Sequence, residues 1–188
     1  MMWNSVENCS PNFGARHLLK TNVIKKVANE AKSIEANLVE MKFADVNDSA
    51  VLENLRSSWS KGEYTQMICS PSYDNSRKIQ ALTLQKDGFE RLDEDKILGL
   101  IDFRKNGEKA TIRFLQGKPS IVYSQNRDIS KIGEALCKGF RQLLGEEGVK
   151  SVDVFVEKSK QPFYRKVFPD IRDKVSTQDS YTNMILDV

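Results

Sequence analysis

Gln161-Pro162-Phe163-Tyr164-Arg165-Lys166-Val167-Phe168-Pro169 comes shortly after the apolar run Val152-Asp153-Val154-Phe155-Val156. Alternating valines over so short a run read as a strand, and the Phe-Tyr pair after it lies in a short segment bounded by two prolines. Upstream, Ile132-Gly133-Glu134-Ala135-Leu136 lies near the start of an amphipathic helix that leads into the same strand. Ile129, Ile132, Leu136, Phe140, Leu143 and Leu144 form its apolar face. Asp128 or Ser130 can accept the free N–H groups of its first turn, and Gly145 or Gly148 ends it. Helix opening, strand and aromatic pair make an ordered constellation between Arg127 and Pro169.

Working outward, three strand signals precede that helix. Lys78–Gln85 sets Ile79, Ala81 and Thr83 opposite Leu82 and Leu84, Lys96–Phe103 is apolar almost to Asp102, and Ala110–Leu115 alternates Ala110, Ile112 and Phe114 against Thr111 and Arg113. Asn106-Gly107 between the last two predicts a type I′ hairpin turn, because both residues tolerate positive φ. Residues 86–95 are mostly polar and predict a longer hairpin loop. Gln116-Gly117-Lys118-Pro119 breaks the pattern, and Ile121-Val122-Tyr123 is either a short extra strand or the end of the previous one after a bulge. A terminal strand is expected around Met184–Val188.

Toward the N-terminus, residues 1–20 read as turn or loop. From Thr21, the residues Val23, Ile24, Val27, Ala28 and Ala31 fall on one helical stripe, which predicts an appended helix capped by Thr21 or Asn22. Leu38 to Ala44 is a strand with Val39, Met41 and Phe43 on one face. Asn47 or Asp48 can cap the next helix, which carries Val51, Leu52, Leu55 and Trp59. Gly62 to Asn75 is loop-rich. The resulting order of elements argues for an α+β or mixed α/β sheet, with residues 1–35 as an N-terminal extension holding one helix and residues 36–188 as the main domain.

Composition narrows the function classes. The 188 residues are 39% apolar and 29% charged, with a net charge of +3. That charge is mixed in sign and argues against a nucleic-acid partner. Three cysteines, Cys9, Cys69 and Cys137, have no metal-ligand spacing, and their odd number disfavours a disulfide framework. A reducing, cytoplasmic compartment is the expectation. No apolar run approaches a bilayer span and no signal-peptide pattern is present, so no membrane association is expected. One histidine, His17, leaves a His-based triad or zinc site without partners.

The order of elements and the two motifs resemble the GNAT superfamily of acyl-CoA-dependent N-acyltransferases over roughly residues 36–188. The family's pyrophosphate loop reads Arg/Gln-x-x-Gly-x-Gly/Ala at the start of its central helix, where free N–H groups and the positive dipole end meet phosphates. Here Gly133 matches the second glycine, Lys131 stands at the first, and Asp128 at the Arg/Gln. Arg127 is one residue off register and substitutes if the loop shifts. The family's later motif resembles Asn-x-x-Ala-x-x-x-Tyr-Glu-Lys-x-Gly-Phe. Tyr164 and Lys166 match it, Arg165 replaces the Glu, and Glu157 and Lys160 stand at the Asn and Ala positions.

The resemblance implies acetyl-CoA as co-substrate and an amine-bearing small molecule or protein as acceptor. It also implies Tyr164 as proton donor to the leaving thiolate, and Arg127, Lys131, Ile132 and Gly133 at the phosphates. A backbone N–H near Leu115, or near Tyr123 if the extra segment forms the strand, would polarise the carbonyl. The alternative is a GNAT-like module that has lost the coenzyme and serves binding or regulation. Read alone, Tyr164 is more simply a core or rim aromatic, and Gly133 is consistent with close helix packing. No general base is identifiable: Asp102 sits in an apolar strand and Glu63 in a loop on the expected acceptor side, and neither has a motif behind it.

Overall fold

The computed structural model describes residues 14–28, 30–71, 74, 76–174 and 180–188. The loop reading of residues 1–13 lies outside them. Among the described residues, nine strands form one sheet, flanked by five α-helices: β1 (Arg16–Val27), β2 (Glu30–Met41), α1 (Val46–Ser58), α2 (Thr65–Cys69), β3 (Arg77–Thr83), β4 (Ile97–Asn106), β5 (Lys109–Gly117), α3 (Pro119–Val122), β6 (Ile129–Ser130), α4 (Ile132–Glu146), β7 (Ser151–Glu157), α5 (Gln161–Val167), β8 (Arg172–Lys174) and β9 (Tyr181–Asp187). The spatial order is β6-β1-β2-β3-β4-β5-β7-β9-β8. Every described pairing is antiparallel except β5 with β7. This is the mixed, mostly antiparallel sheet that the sequence predicts.

The core is split by the sheet. Alternation along the strands sends Leu38, Leu82, Leu98, Ile101 and Phe103 toward α4 and α5, where they meet Leu136, Phe140 and Leu144. The opposite face sends Val39, Met41, Ile79, Ala81 and Leu100 toward Leu52, Leu55 and Trp59 of α1 and Ile68 of α2. Helix α4 packs tightly over Gly99 of β4. A Cβ there would lie 2.7 Å from Leu136 Cδ1 and 3.0 Å from Ile132 Cγ2, so glycine is what lets the first turn of α4 descend onto β4 and β5.

The appended helix over 21–31 is not formed. Residues 16–27 are strand β1, paired along its length with β2, so residues 16–27 and 30–35 belong to the sheet. The spacing of Val23, Ile24 and Val27 fits a helical stripe, but β-branched residues also suit a pleated surface. The decision falls to Val23, which is wholly buried in the α4-side core. The β4–β5 hairpin forms with its turn one residue later than predicted. Asn106 still pairs with Lys109, and Gly107 alone takes a positive φ (58°), the pattern of a type II′ turn.

Helix α1 starts two or three residues earlier than expected. Asp45 is the cap, its Oδ1 accepting from the N–H groups of Asn47 (2.8 Å) and Asp48 (3.0 Å). Asp48 instead turns inward, 1% exposed, and accepts from the Lys42 N–H at 2.9 Å. Burial, with smaller contributions from Asp45 and Glu40, raises its carboxyl to about 6. A folded pKa above the unfolded one gives stability that is complete below about pH 4 and is lost as pH rises through 6. Asp48→Asn is therefore expected to gain on the order of 2 kcal/mol relative to wild type between pH 4 and pH 8. Urea unfolding at both pH values reads that difference, and an equal effect at both would contradict it.

Candidate active site

Strand β5 is the origin of the site. It pairs with β7 only from Lys109↔Ser151 to Ile112↔Val154. On its other side the register with β4 skips a residue between Phe103↔Ile112 and Asp102↔Phe114, so Arg113 is bulged. A bulge bends and twists its strand, and from that point β5 and β7 diverge. Among the described residues, the β7-facing edge of 113–117 has no strand partner. A cleft of about 650 Å³ opens there, lined by β5 from Thr111 to Gly117, by Phe155–Glu157 of β7, and by Phe163 and Tyr164 of α5.

The cleft passes through the sheet. On the α4 side its wall is Leu115, Phe163 and Tyr164, and behind them lies the first turn of α4. A Cβ on Gly133 would lie 2.9 Å from the Phe163 ring and 3.8 Å from Leu115 Cδ2. Gly133 thus lets the Phe163 ring rest directly on the helix opening. Phe163 in turn meets Tyr164 edge-on at 5.1 Å. Tyr164 is 6% exposed, lines the cleft, and its hydroxyl makes no hydrogen bond among the described residues. Burial pushes its phenol above the ordinary value, with Cys137 and Tyr64 adding to the rise. Tyr164 therefore keeps its proton throughout the physiological range and has it available to a group bound in the cleft.

At the α4 opening, Lys131 is the residue before the helix, at φ 63° and ψ 19° with no side-chain cap. That left-handed conformation favours glycine, and it occurs at the position where the sequence resemblance expects one. The N–H groups of Ile132, Gly133 and Glu134 precede the first helical bond, Ala135 N to Lys131 O. Asp128 and Ser130, predicted as caps, serve β1 instead: the Asp128 carbonyl accepts from Lys26 N, and Ser130 pairs with Ile24.

The predicted site residues thus separate into two groups. Tyr164 and Leu115 line the cleft, and Ile132 and Gly133 stand behind its wall with Lys131 just before them. Arg127 does not join them: it borders a different surface hollow with Lys26, Gln125 and Asn126. Tyr123 contributes its exposed side chain to the cleft rim. It lies in no strand, because residues 119–122 form the helical turn α3, and its N–H is bonded to the carbonyls of Pro119 and Ile121. Of the two carboxylates considered as a base, Glu63 lines the cleft. Asp102 does not: it is sealed in the sheet between Arg77 (3.0 Å) and Arg113 (3.5 Å).

Sequence reasoning missed the face opposite α4. Tyr64, just before α2, stacks on Phe114 at 5.4 Å, and Phe155 stacks on Tyr181 at 5.0 Å. Both pairs line the cleft. Their signal in sequence was slight: Phe155 sits out of phase with the valines of its strand, whereas Phe114 is in phase with Ile112 and reaches the opposite face through the bulge at Arg113.

No protein-family model and no curated protein matches the chain. Solved structures do. The chain is similar to the GNAT domain of S. lividans PAT, at 13% identity over 90% of this chain and 97% of that one, with a TM-score of 0.56. It is similar to the ribosomal-protein-S18-alanine N-acetyltransferase of Escherichia coli, at 12% identity over 81% and 93%, TM-score 0.55. The Campylobacter jejuni N-acetyltransferase PseH, solved with acetyl coenzyme A, matches at 16% identity over 80% and 98%, TM-score 0.53. The fold is that of the GNAT N-acetyltransferases.

Proposed function

We propose that the protein is an acetyl-CoA-dependent N-acyltransferase acting on a primary amine by direct attack. The observation that carries this is the divergence of β5 from β7 at the Arg113 bulge, with a buried, proton-bearing tyrosine on the resulting cleft. An unpaired strand edge offers amide groups to an extended, amide-containing arm. The residues present suit coenzyme A: the open edge for its arm, and the N–H groups at the α4 opening with Lys131 for its phosphates. The amine nitrogen bonds to the thioester carbonyl carbon, the C–S bond breaks, and Tyr164 gives its proton to the sulfur. The nitrogen's surplus proton returns through Tyr164 or leaves to water, so one proton is released per ammonium consumed.

One observation favours a second reading, a GNAT-like module without coenzyme. The Phe163 ring rests on Gly133, in the space through which phosphates would reach the α4 opening from the cleft. Amide hydrogen exchange with and without acetyl-CoA tests the choice. The enzyme reading expects slowed exchange confined to 113–117 and 132–134. Unchanged exchange in both segments at millimolar acetyl-CoA would favour the module.

A further inference from the structure

The cleft has two unlike ends. Its α4 end carries Leu115, Phe163 and Tyr164, whereas its α2 end brings together Glu63, Tyr64, Met67, Phe155, Glu157 and Tyr181. Three separate parts of the chain supply this second end: the segment leading into α2, the outer end of β7, and the start of β9. Phe155 is 48% exposed and Met67 54%, a large apolar outlay for a rim. The charged side chains lining the cleft balance in number, Glu63 and Glu157 against Lys160 and Arg113, but not in place. Lys160 reaches Glu63 at 3.4 Å, and Arg113 is held at 3.5 Å by the buried Asp102. Glu157 accepts only from Ser159 Oγ at 3.2 Å and has no cationic partner among the described residues. It is paired across the ladder with Tyr181, next to the Phe155–Tyr181 stack. Burial raises the Tyr64 phenol, with the Glu63 hydrogen bond next and the charges of Glu63 and Glu157 adding to it, so both carboxylates act on the same ring.

Building on the acyltransferase reading, we infer that the acceptor is a cationic amine carrying an aromatic or flat apolar body, its ammonium held by Glu157 and its body laid against the Phe155–Tyr181 stack. A carboxylate beside an aromatic face is a combination that selects ammonium groups: the charge takes the hydrogen bonds and the ring faces the remaining positive surface. The apolar rim rewards a body that displaces water from Phe155 and Met67. An anionic body would meet Glu157 uncompensated, and a small alkylamine would leave the rim wet. Lys160 can let go of Glu63 at little cost, since the pair is exposed, which makes a second carboxylate available to a longer or doubly charged acceptor.

The test is a calorimetric titration of the full chain, with coenzyme A present, using three probes: 2-phenylethylamine, ethylamine and 3-phenylpropionate. The first has both charge and body, and the others have one each. 2-Phenylethylamine is expected to bind about tenfold or more tighter than either, and Glu157→Gln to weaken it by about tenfold while coenzyme A affinity stays unchanged. Equal binding of 3-phenylpropionate, or a Glu157→Gln variant that binds the amine as wild type does, overturns the inference. Coenzyme A titrated alone keeps the two readings apart. Coenzyme binding without amine preference sinks only the acceptor assignment. Amine preference with Glu157 dependence but no coenzyme binding sinks only the acyl-transfer reading, and loss of both sinks both.

Discussion

Tyr164→Phe is expected to lower kcat for acetyl transfer by about 10²–10⁴-fold, with the KM for acetyl-CoA little changed. Of the two α5 side chains that line the cleft, Phe163 and Tyr164, the tyrosine is the one that carries a polar atom. A departing thiolate left without a donor must take its proton from solvent. The phenol's ordinary pKa is about 10 and burial raises it further, so the donor is fully protonated and its loss is not masked at any pH near neutrality. Structure should be spared. The hydroxyl makes no hydrogen bond among the described residues, and the edge-on contact with Phe163 survives in phenylalanine. Thiol release from acetyl-CoA in the presence of an amine reads the rate, and thermal unfolding checks the fold. A variant with wild-type kcat would remove Tyr164 from the chemistry.

The second large effect concerns stability. Arg77→Ala is expected to cost about 3–5 kcal/mol, a fall in Tm of roughly 6–20 °C for a chain of this size. Arg77 is 4% exposed in its side chain and Asp102 is wholly buried, and the two meet at 3.0 Å. The guanidinium also donates to the carbonyls of Ser70 (2.7 Å) and Met67 (3.0 Å) and to that of Ile68, closing the C-terminal end of α2. It lies 5.1 Å from the centre of the Phe43 ring as well. Removing it strands a carboxylate in the sheet. Burial already pushes Asp102 above the ordinary range against the pull of Arg77 and Arg113. It also frees three carbonyls at once. Replacing both partners by apolar residues should recover part of the loss, because the stranded charge goes too. Arg165→Ala, which breaks an exposed pair with Asp173 at 2.6 Å, is the control and should cost about 1 kcal/mol or less. A loss for Arg77→Ala as small as that control would show that Asp102 carries no charge in the fold.

The elements that sequence displayed were those whose burial is periodic. Helix α4 shows one clean apolar stripe, β4 is apolar on both faces because both are covered, and Asn106-Gly107 marks the hairpin between β4 and β5. Val23, Ile24 and Val27 fit a helical stripe and, being β-branched, suit a strand as well, and the partner strand Glu30–Met41 with the burial of Val23 decides between them. That misreading propagated. With β1 taken as a helix, nothing announced that residues 129–130 would pair with it, so Asp128 and Ser130 appeared to be free for capping and Arg127 free for phosphate. Helix α2, at five residues, is too short to show a period.

In the site, Tyr164, Leu115 and Gly133 were legible because motif and element coincide. The bulge at Arg113 was not, since it exists only in the register between β4 and β5. The resting of Phe163 on Gly133 links residues 30 positions apart and has no local signature. Glu63 with Tyr64, Phe155 with Glu157, and Tyr181 come from three separate segments, which no linear pattern joins.

The measurement that bears most directly on the account is calorimetric titration of acetyl-CoA into the purified full chain, repeated with Lys131→Glu. The account predicts a Kd of micromolar order, about −8 kcal/mol, weakened by about tenfold or more in the variant, because Lys131 stands at the opening of α4 where the phosphates would lie. Absence of binding at millimolar acetyl-CoA, or an affinity indifferent to the Lys131→Glu reversal of charge, would contradict it.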